Sequence, residues 1–220
     1  MKTFRVYFLS VLFVIAISVV LSFSPGLARA VPFLAFNMDV NHPPTASISY
    51  AGGAAPLVGV DISVDSVTGM NTPLNNGVTL PFVGALNFTT GPFIGSDPTH
   101  WGFSGGGSIA LIGNSIIPIL SGTFNFATVE NNDTLSKVAI GAFLDKKWGP
   151  LTDFYGLPNT DYLGYFNLDF SADGTPPDSF SSLAVLDGVI VNTPVPEPTT
   201  MILIGSGLIG LVGLRRKFKR

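Results

Sequence analysis

Two apolar segments without a charged residue, one near each end of the chain, constrain the possible folds more than any other feature. Residues 6–23 follow the basic pair Lys2 and Arg5, and residues 201–214 precede a basic C-terminus. Apolar segments with basic flanks are typical of signal peptides and membrane helices rather than of the core of a soluble domain. The residues between the two ends, 31–194, are long enough to form one domain with its own hydrophobic core.

The charge distribution agrees with this division. Residues 31–194 carry twelve aspartates and one glutamate against three lysines, a net charge of −10 that the whole-chain value of −3 conceals. An acidic domain lacks the basic patches that nucleic-acid binding needs, so we expect no nucleic-acid partner. The absence of cysteine from the sequence excludes a disulfide scaffold and a thiol nucleophile.

The N-terminal segment has the layout of a secretory signal peptide. A basic start is followed by the apolar residues 6–23, and Ala28 and Ala30 give the small-x-small pattern of a cleavage site. We therefore predict a signal peptide over residues 1–30, cleaved after Ala30. An uncleaved anchor is the alternative, because the apolar segment is longer than the usual length of about 7–15 residues.

The C-terminal apolar segment predicts a short membrane helix. As a helix, residues 201–214 span about 21 Å, against about 30 Å for the hydrocarbon core of a bilayer. Adding Thr199 and Thr200, with snorkelling by the basic side chains, narrows this difference and places the transmembrane helix at about 199–214. The basic cluster that follows, over residues 215–220, keeps this end in the cytoplasm. It consists of Arg215, Arg216, Lys217, Lys219 and Arg220.

Three residues just before this helix change its interpretation. Pro196, Glu197 and Pro198 are followed by a short glycine-rich apolar helix and a basic end, all within residues 195–220. This order resembles the PEP-CTERM sorting signal of Gram-negative bacteria. The resemblance implies that exosortase, an integral-membrane transpeptidase-like protease, recognises the tail. It also implies release from the anchor or transfer to the cell surface, usually where exopolysaccharide is made.

The physical chemistry of the motif suits recognition at a membrane surface. Its two prolines fix an extended backbone and remove two N–H donors, so residues 195–198 are predicted to join neither the helix nor the folded domain. Glu197 is the only acidic residue near the five bases. A rigid proline-rich spacer before an ordinary anchor is the alternative interpretation.

Alternating apolar and polar residues predict strands in the acidic middle of the chain. Turns rich in glycine, proline and asparagine separate these strands, and no stretch of twelve residues has a clear helical period. We predict an all-β exported domain over residues 31–194, an antiparallel β-sandwich or jelly-roll flanked by the signal helix and the transmembrane helix. The apolar sets predicted to face the core are Val60, Ile62 and Val64; Phe124 and Phe126; and Phe166, Leu168 and Phe170.

A catalytic interpretation of this domain would depend on His100. His100 would act as the base, Asp97 would orient it, and Ser104 or Ser108 would be the nucleophile. No Gly-x-Ser-x-Gly turn supports this arrangement. We therefore assign no catalytic residue and expect the protein not to be an enzyme.

Two binding interpretations remain open. Calcium could bind between loop aspartates, although no EF-hand loop is present, and we assign no metal ligand and no cofactor. Aromatic side chains could stack on the sugar rings of a glycan, or they could form the core. The calcium candidates are Asp61 and Asp65, or Asp169, Asp173 and Asp178. The glycan candidates are Trp101 and Phe103, or Trp148, Phe154 and Tyr155.

Taken together, the sequence predicts an exported surface or extracellular-matrix protein that exosortase sorts and processes. The predicted partners are exosortase, the inner membrane while the protein is anchored there, and exopolysaccharide or a biofilm matrix. Two alternatives are a secreted glycan-binding protein or hydrolase with the same tail, and a permanently anchored periplasmic protein.

Overall fold

A computed structural model of the chain describes residues 30–38, 46–113, 117–132 and 135–195. The predicted signal helix with Ala28, the motif Pro196 to Pro198, the membrane helix and the basic cluster lie outside the described residues. Within the described ranges, no helix has both the length and the apolar character needed to cross a membrane.

Nine strands and one short helix make up the described part of the chain. Most strands are long, and the longest, β4, has 19 residues. In chain order the elements are β1 (Phe33–Met38), β2 (Ser47–Tyr50), β3 (Pro56–Met70), β4 (Thr79–Asp97), β5 (His100–Gly113), β6 (Pro118–Asn131), β7 (Ser136–Lys147), α1 (Gly149–Tyr155), β8 (Tyr162–Ala172) and β9 (Phe180–Pro194).

All nine strands belong to one antiparallel sheet that closes on itself. From β3 to β9, each strand pairs with the strand that follows it in the chain. The two shortest strands fill the remaining position, since β1 and β2 each pair with both β3 and β9. Both short strands therefore have a hydrogen-bonded neighbour on each side, so the sheet has no free edge strand there.

The predicted all-β, antiparallel character is confirmed, but the predicted β-sandwich or jelly-roll is not the arrangement found. A jelly-roll needs connections that cross between two sheets, whereas here the strands from β2 to β9 each pair with the next one in a single sheet. Inward and outward alternation looks the same in both arrangements. The sequence pattern therefore could not distinguish two facing sheets from one closed sheet.

The alternation predicted for β8 is confirmed, whereas two other predicted sets are interrupted by irregularities. Phe166, Leu168 and Phe170 are buried on β8 as expected. In β3 the register shifts between Gly59 and Ile62, where Asp61 adopts a left-handed φ of 51°.

The irregularities turn one apolar residue of each interrupted set outward. Val60 becomes exposed while Ile62 stays buried. A second register shift separates Phe124 from Phe126, so that Phe124 is buried and Phe126 is 47% exposed. An extra residue in one strand reverses the facing of the residues beyond it, which explains both corrections.

Aromatic rings fill most of the inside of the closed sheet. In the middle, Phe88 stacks on Phe166 with ring centroids 5.3 Å apart, and Phe124 meets Phe166 edge to face at 5.5 Å. Nearer one end, Trp101 contacts Phe180 with centroids 5.0 Å apart. Such ring pairs add stacking and edge-to-face energy to the burial of a large apolar area.

The two ends of the closed sheet differ, and we name each by its residues. The exit end is where β9 ends and β1 begins; it also carries the connections over residues 71–78 and 148–161. The acidic end carries the connections over residues 51–55, 98–99 and 173–179. Its exposed carboxylates are those of Asp97, Glu130, Asp169, Asp173, Asp178 and Asp187.

Helix α1 lies at the exit end and packs its buried face on the sheet. Pro150 is in the first turn, and Gly156 ends the helix with a left-handed φ of 66°, a conformation that favours glycine. The Tyr155 hydroxyl lies 3.0 Å from the Val67 carbonyl oxygen and 2.9 Å from that of Val78. A helix of seven residues is too short to produce a periodic signal, so the sequence did not reveal it.

Candidate functional site

The end of the last strand is the described feature closest to the predicted sorting motif. Pro194, the last residue of β9, pairs with Tyr162 of β8. The Val195 N–H donates a hydrogen bond of 2.9 Å to the Asp161 carbonyl oxygen. The sheet therefore holds the chain up to the residue directly before Pro196, with no flexible spacer between them.

The beginning of the sheet lies beside this exit. Leu34 near the start of β1 pairs with Asn192 near the end of β9, and Phe33 pairs with Met70. The chain consequently enters and leaves the closed sheet at the same end.

A buried polar cluster lies inside the sheet at the exit end. The Lys147 ammonium donates a hydrogen bond to Asp145 Oδ2, and both side chains are fully buried. Asn192 Nδ2 donates to Asp145 Oδ1 at 3.2 Å. Lys147 Nζ also lies 4.8 Å from the centroid of the Tyr162 ring, a cation–π distance.

The electrostatics of this cluster follow from its burial. Removal from water lowers the pKa of the Lys147 ammonium well below its usual value. The Asp145 carboxylate opposes this shift because an adjacent negative charge favours the charged amine. Gly164 makes room for the cluster, since a Cβ at this position would collide with Asn192 Nδ2 and the Phe143 ring.

Sequence reasoning missed the cluster, although a signal for it was present. Asp145 and Lys147 are two and four residues from Phe143, and alternation along β7 places all three side chains on the same inward face. Charged residues at the end of a strand are usually solvated, so their charge alone did not indicate burial.

At the acidic end, the structure brings together only part of the catalytic set considered for His100. His100 Nδ1 lies 3.0 Å from Asp97 Oδ1 and 2.7 Å from Thr99 Oγ1, and His100 Nε2 lies 3.8 Å from Glu130 Oε1. The Thr99 backbone N–H and then the His100 side chain lower the pKa of Asp97 to about 2. Asp97 is therefore ionised at neutral pH.

The two candidate nucleophiles are not assembled with His100. Ser104 and Ser108 lie on the same strand, four and eight residues further along β5. At about 3.4 Å per residue, these positions are about 14 and 27 Å from His100 along the strand. The Ser104 hydroxyl donates instead to the Gly105 carbonyl oxygen at 3.3 Å.

The calcium candidates do not form one site in the described residues. No group of three or more histidine, cysteine, aspartate or glutamate side chains there could hold a metal ion. Asp169 lies on the outer face of β8, whereas Asp173 and Asp178 line an open cavity of about 720 Å³ at the acidic end. Calcium binding by Asp61 and Asp65 stays a prediction, as does the absence of any cofactor.

The aromatic side chains considered for glycan binding differ in how far they are buried. Trp101, Phe103 and Tyr155 belong to the core, with 0–1% of their surface exposed. The Trp101 indole N–H donates to the Asp178 carbonyl oxygen at 3.0 Å. Trp148 is 39% exposed at the exit end. For Trp101 and Phe103, the structure therefore supports the alternative that they form the core.

Two other aromatic side chains, which the sequence did not suggest for glycan binding, are exposed on the outer face of the sheet. Phe126 of β6 and Tyr165 of β8 both pair with Ala142 of the intervening strand β7. Their exposed fractions are 47% and 48%, whereas Ala142 is 3% exposed between them. The rings thus flank one small residue about 10 Å apart, twice the spacing of neighbouring strands.

An all-β domain whose last strand leads directly into a Pro-Glu-Pro segment, an apolar run and a basic end is an exported domain with a C-terminal sorting signal. A family model, the PEP-CTERM protein-sorting motif, matches residues 194–217 of the chain. The resemblance predicted from the sequence is confirmed: residues 194–217 carry a PEP-CTERM protein-sorting motif. This motif supports export, anchoring in the membrane and sorting by exosortase. No curated protein and no solved structure matches the chain.

Proposed function

We propose that this protein is a non-enzymatic surface or matrix component that exosortase releases from a temporary membrane anchor. In this scheme the signal peptide directs export and residues 31–194 fold outside the cytoplasm. The helix predicted at about 199–214 holds the protein at the inner membrane. Cleavage near Pro196, Glu197 and Pro198 then sends the folded domain to the cell surface or beyond.

The observation that carries this proposal is the direct connection between the sheet and the motif. The match to the sorting model begins at Pro194, which is still paired in the sheet, and Val195 is fixed by its bond to Asp161. The sheet therefore holds the backbone up to Val195, the residue directly before Pro196. A motif that directly follows a fixed backbone loses less conformational entropy on binding than one at the end of a flexible linker. This favours its recognition by a membrane protease.

The test is the intact mass of the exported protein from cells with and without exosortase. In cells with exosortase we expect the mature protein to lack most of residues 196–220. A variant with Pro196→Ala, Glu197→Ala and Pro198→Ala should keep its tail in both strains. The matched control is Glu130→Gln, which changes the only other glutamate of the chain and should be processed normally. A tail retained on the unchanged protein in cells with exosortase would support a permanent anchor instead.

We also propose that the released protein associates with extracellular polysaccharide. The exposed rings of Phe126 and Tyr165 support this, because a flat aromatic face can stack on the apolar face of a sugar ring. The exposed side chains of Asn125 and Asn167 are close in sequence and add amide donors and acceptors.

Co-sedimentation of the exported protein with the polysaccharide of its own cells tests this association. The double variant Phe126→Ala and Tyr165→Ala should lose most of the bound fraction. Leu186→Ala, which removes an exposed apolar side chain elsewhere on the outer surface, should bind as the unchanged protein does. Equal binding by all three proteins would contradict the proposed aromatic surface.

A further inference from the structure

The connection between the domain and its anchor is too short for the domain to stay far from the membrane. Val195 is bonded to the sheet, and the apolar run begins six residues later at Met201. Six extended residues span at most about 21 Å. About 5–8 Å of that length crosses the headgroup region of the bilayer. The exit end therefore lies close to the lipid surface while the protein is anchored.

The surface of the exit end is unusually apolar for a part of a protein that faces water. Leu74 is 56% exposed, although its backbone N–H is bonded to the Tyr155 carbonyl oxygen and its position is fixed. The other exposed side chains lie at the ends of β3 and β5 or in the segments that follow strands at this end, and they include a tryptophan, a residue typical of membrane interfaces. The set, which we name the exit patch, is Met70, Leu74, Val78, Ile112, Ile117 and Trp148.

Charge at the two ends favours one orientation against a phospholipid surface. Lys146 is 79% exposed at the exit end and forms only a loose contact of 3.9 Å with Asp161. With Asp153 and Asp161, the exit end exposes two carboxylates beside this lysine, against six carboxylates at the acidic end, so an anionic leaflet repels the exit end less. The opposite end exposes Ile94 and Leu135, but these lie among the six carboxylates of the acidic end, which an anionic surface repels.

We propose that the exit patch is a lipid-docking surface that seats the anchored domain on the outer leaflet of the inner membrane, with the acidic end pointing away. This inference rests on the proposed anchoring of the tail. Docking brings the residues after Val195 to the level of the headgroups, where an integral-membrane protease works. Release then withdraws the exit patch from the lipid, because apolar burial of this size does not hold a domain on a membrane without its anchor.

The absence of cysteine makes the test direct, since single cysteines label one site each. The full chain is placed in vesicles of phosphatidylethanolamine and phosphatidylglycerol, with a polarity-sensitive dye at Leu74→Cys or Ile117→Cys. Matched controls carry the dye at Ile94→Cys or Leu186→Cys, which are also exposed apolar positions. A label at Gly207→Cys reports insertion of the tail.

We expect the labels at 74 and 117 to shift their emission to the blue and those at 94 and 186 to stay as in buffer. A buried label at 207 with aqueous labels at 74 and 117 would overturn docking but leave the anchor intact. An aqueous label at 207 would instead overturn the anchoring on which both proposals depend.

The two tryptophans provide a second measurement without a label. Trp148 belongs to the exit patch, whereas Trp101 is fully buried inside the sheet. Brominated lipid in the same vesicles should quench part of the fluorescence of the unchanged chain. The variant Trp148→Phe should lose this quenching, because only Trp101 remains. Equal fractional quenching of both proteins would overturn the proposed docking surface.

Discussion

The two ends of the closed sheet place charge and apolar surface in opposite ways. At the exit end the charges of Asp145 and Lys147 are buried inside, and apolar side chains such as Leu74 face outward. At the acidic end carboxylates face water, and aromatic rings such as Trp101 and Phe180 fill the inside. Both ends belong to the same sheet, so the difference comes from the side chains rather than the backbone.

This difference indicates that the two ends are adapted to different surroundings. A buried ion pair often costs as much desolvation free energy as it returns, so it is seldom kept for stability alone. At the exit end it coincides with the place where the chain leaves the sheet, and Asn192 of the last strand joins it. The cluster ties β7 to Asn192 of β9, four residues before Pro196 in the sequence.

The largest difference in stability between the two ends is expected when one partner of the buried pair is removed. In Asp145→Ala, Lys147 loses the carboxylate that compensates its charge, and we expect a loss of about 3–5 kcal/mol in the free energy of unfolding. Urea denaturation measures this loss. At the acidic end, Asp169→Ala removes an exposed carboxylate and should change stability by about 0.5 kcal/mol or less.

The double variant Asp145→Leu and Lys147→Met sharpens the result, because removing both charges should recover most of the stability lost in Asp145→Ala. Similar unfolding midpoints for Asp145→Ala and Asp169→Ala would show that the two ends do not differ in the proposed way.

A smaller effect is expected where α1 is held against the exit end. Tyr155→Phe removes the hydroxyl that lies within hydrogen-bond distance of the Val67 and Val78 carbonyl oxygens, at an expected cost of about 1 kcal/mol. Thermal unfolding measures the change. The matched control is Tyr165→Phe. The Tyr165 ring is half exposed, so removing its hydroxyl should cost little stability. Equal shifts in both variants would exclude a stabilising role for the Tyr155 hydroxyl.

The smallest effect concerns the hairpin of the acidic end. The pKa of Asp97 is lowered to about 2 from an ordinary 3.8, so its contribution to stability is complete above pH 4 and is lost as the pH falls through about 2. His100→Ala removes one of the groups that lower this pKa, and the midpoint should rise but stay below 3.8 because the Thr99 N–H remains.

The carboxyl carbon shift of Asp97, followed by NMR, measures this midpoint. Lys146→Ala at the exit end is the control and should leave it unchanged. A midpoint that does not move in His100→Ala would remove His100 from the causes of the low pKa.

Local patterns in the sequence were enough to predict some features and not others. Alternation predicted the facing of Phe166, Leu168 and Phe170, because a regular strand depends only on its own residues. The order of motif, apolar run and basic end predicted the sorting tail for the same reason.

Features that depend on distant residues were not predictable in this way. Closure of the sheet requires Leu34 to pair with Asn192, which is far away in the sequence. The irregularity at Asp61 is held by a hydrogen bond from its N–H to Asn87 Oδ1 on the neighbouring strand. The buried pair Asp145 and Lys147 depends on two other strands, because Asn192 donates to Asp145 and the Tyr162 ring lies beside Lys147, so the charges on their own gave no indication of burial.

The pairing of the first strands with the last one determines when the domain can finish folding. During export the chain emerges with β1 first, yet β1 and β2 both need β9 as a neighbour to complete their hydrogen bonds. Contacts between sequence-distant segments form late, because a long loop must close first. The sheet therefore cannot close until β9 has crossed the membrane, directly ahead of the sorting motif, which makes completion of the fold coincide with arrival of the tail at the membrane.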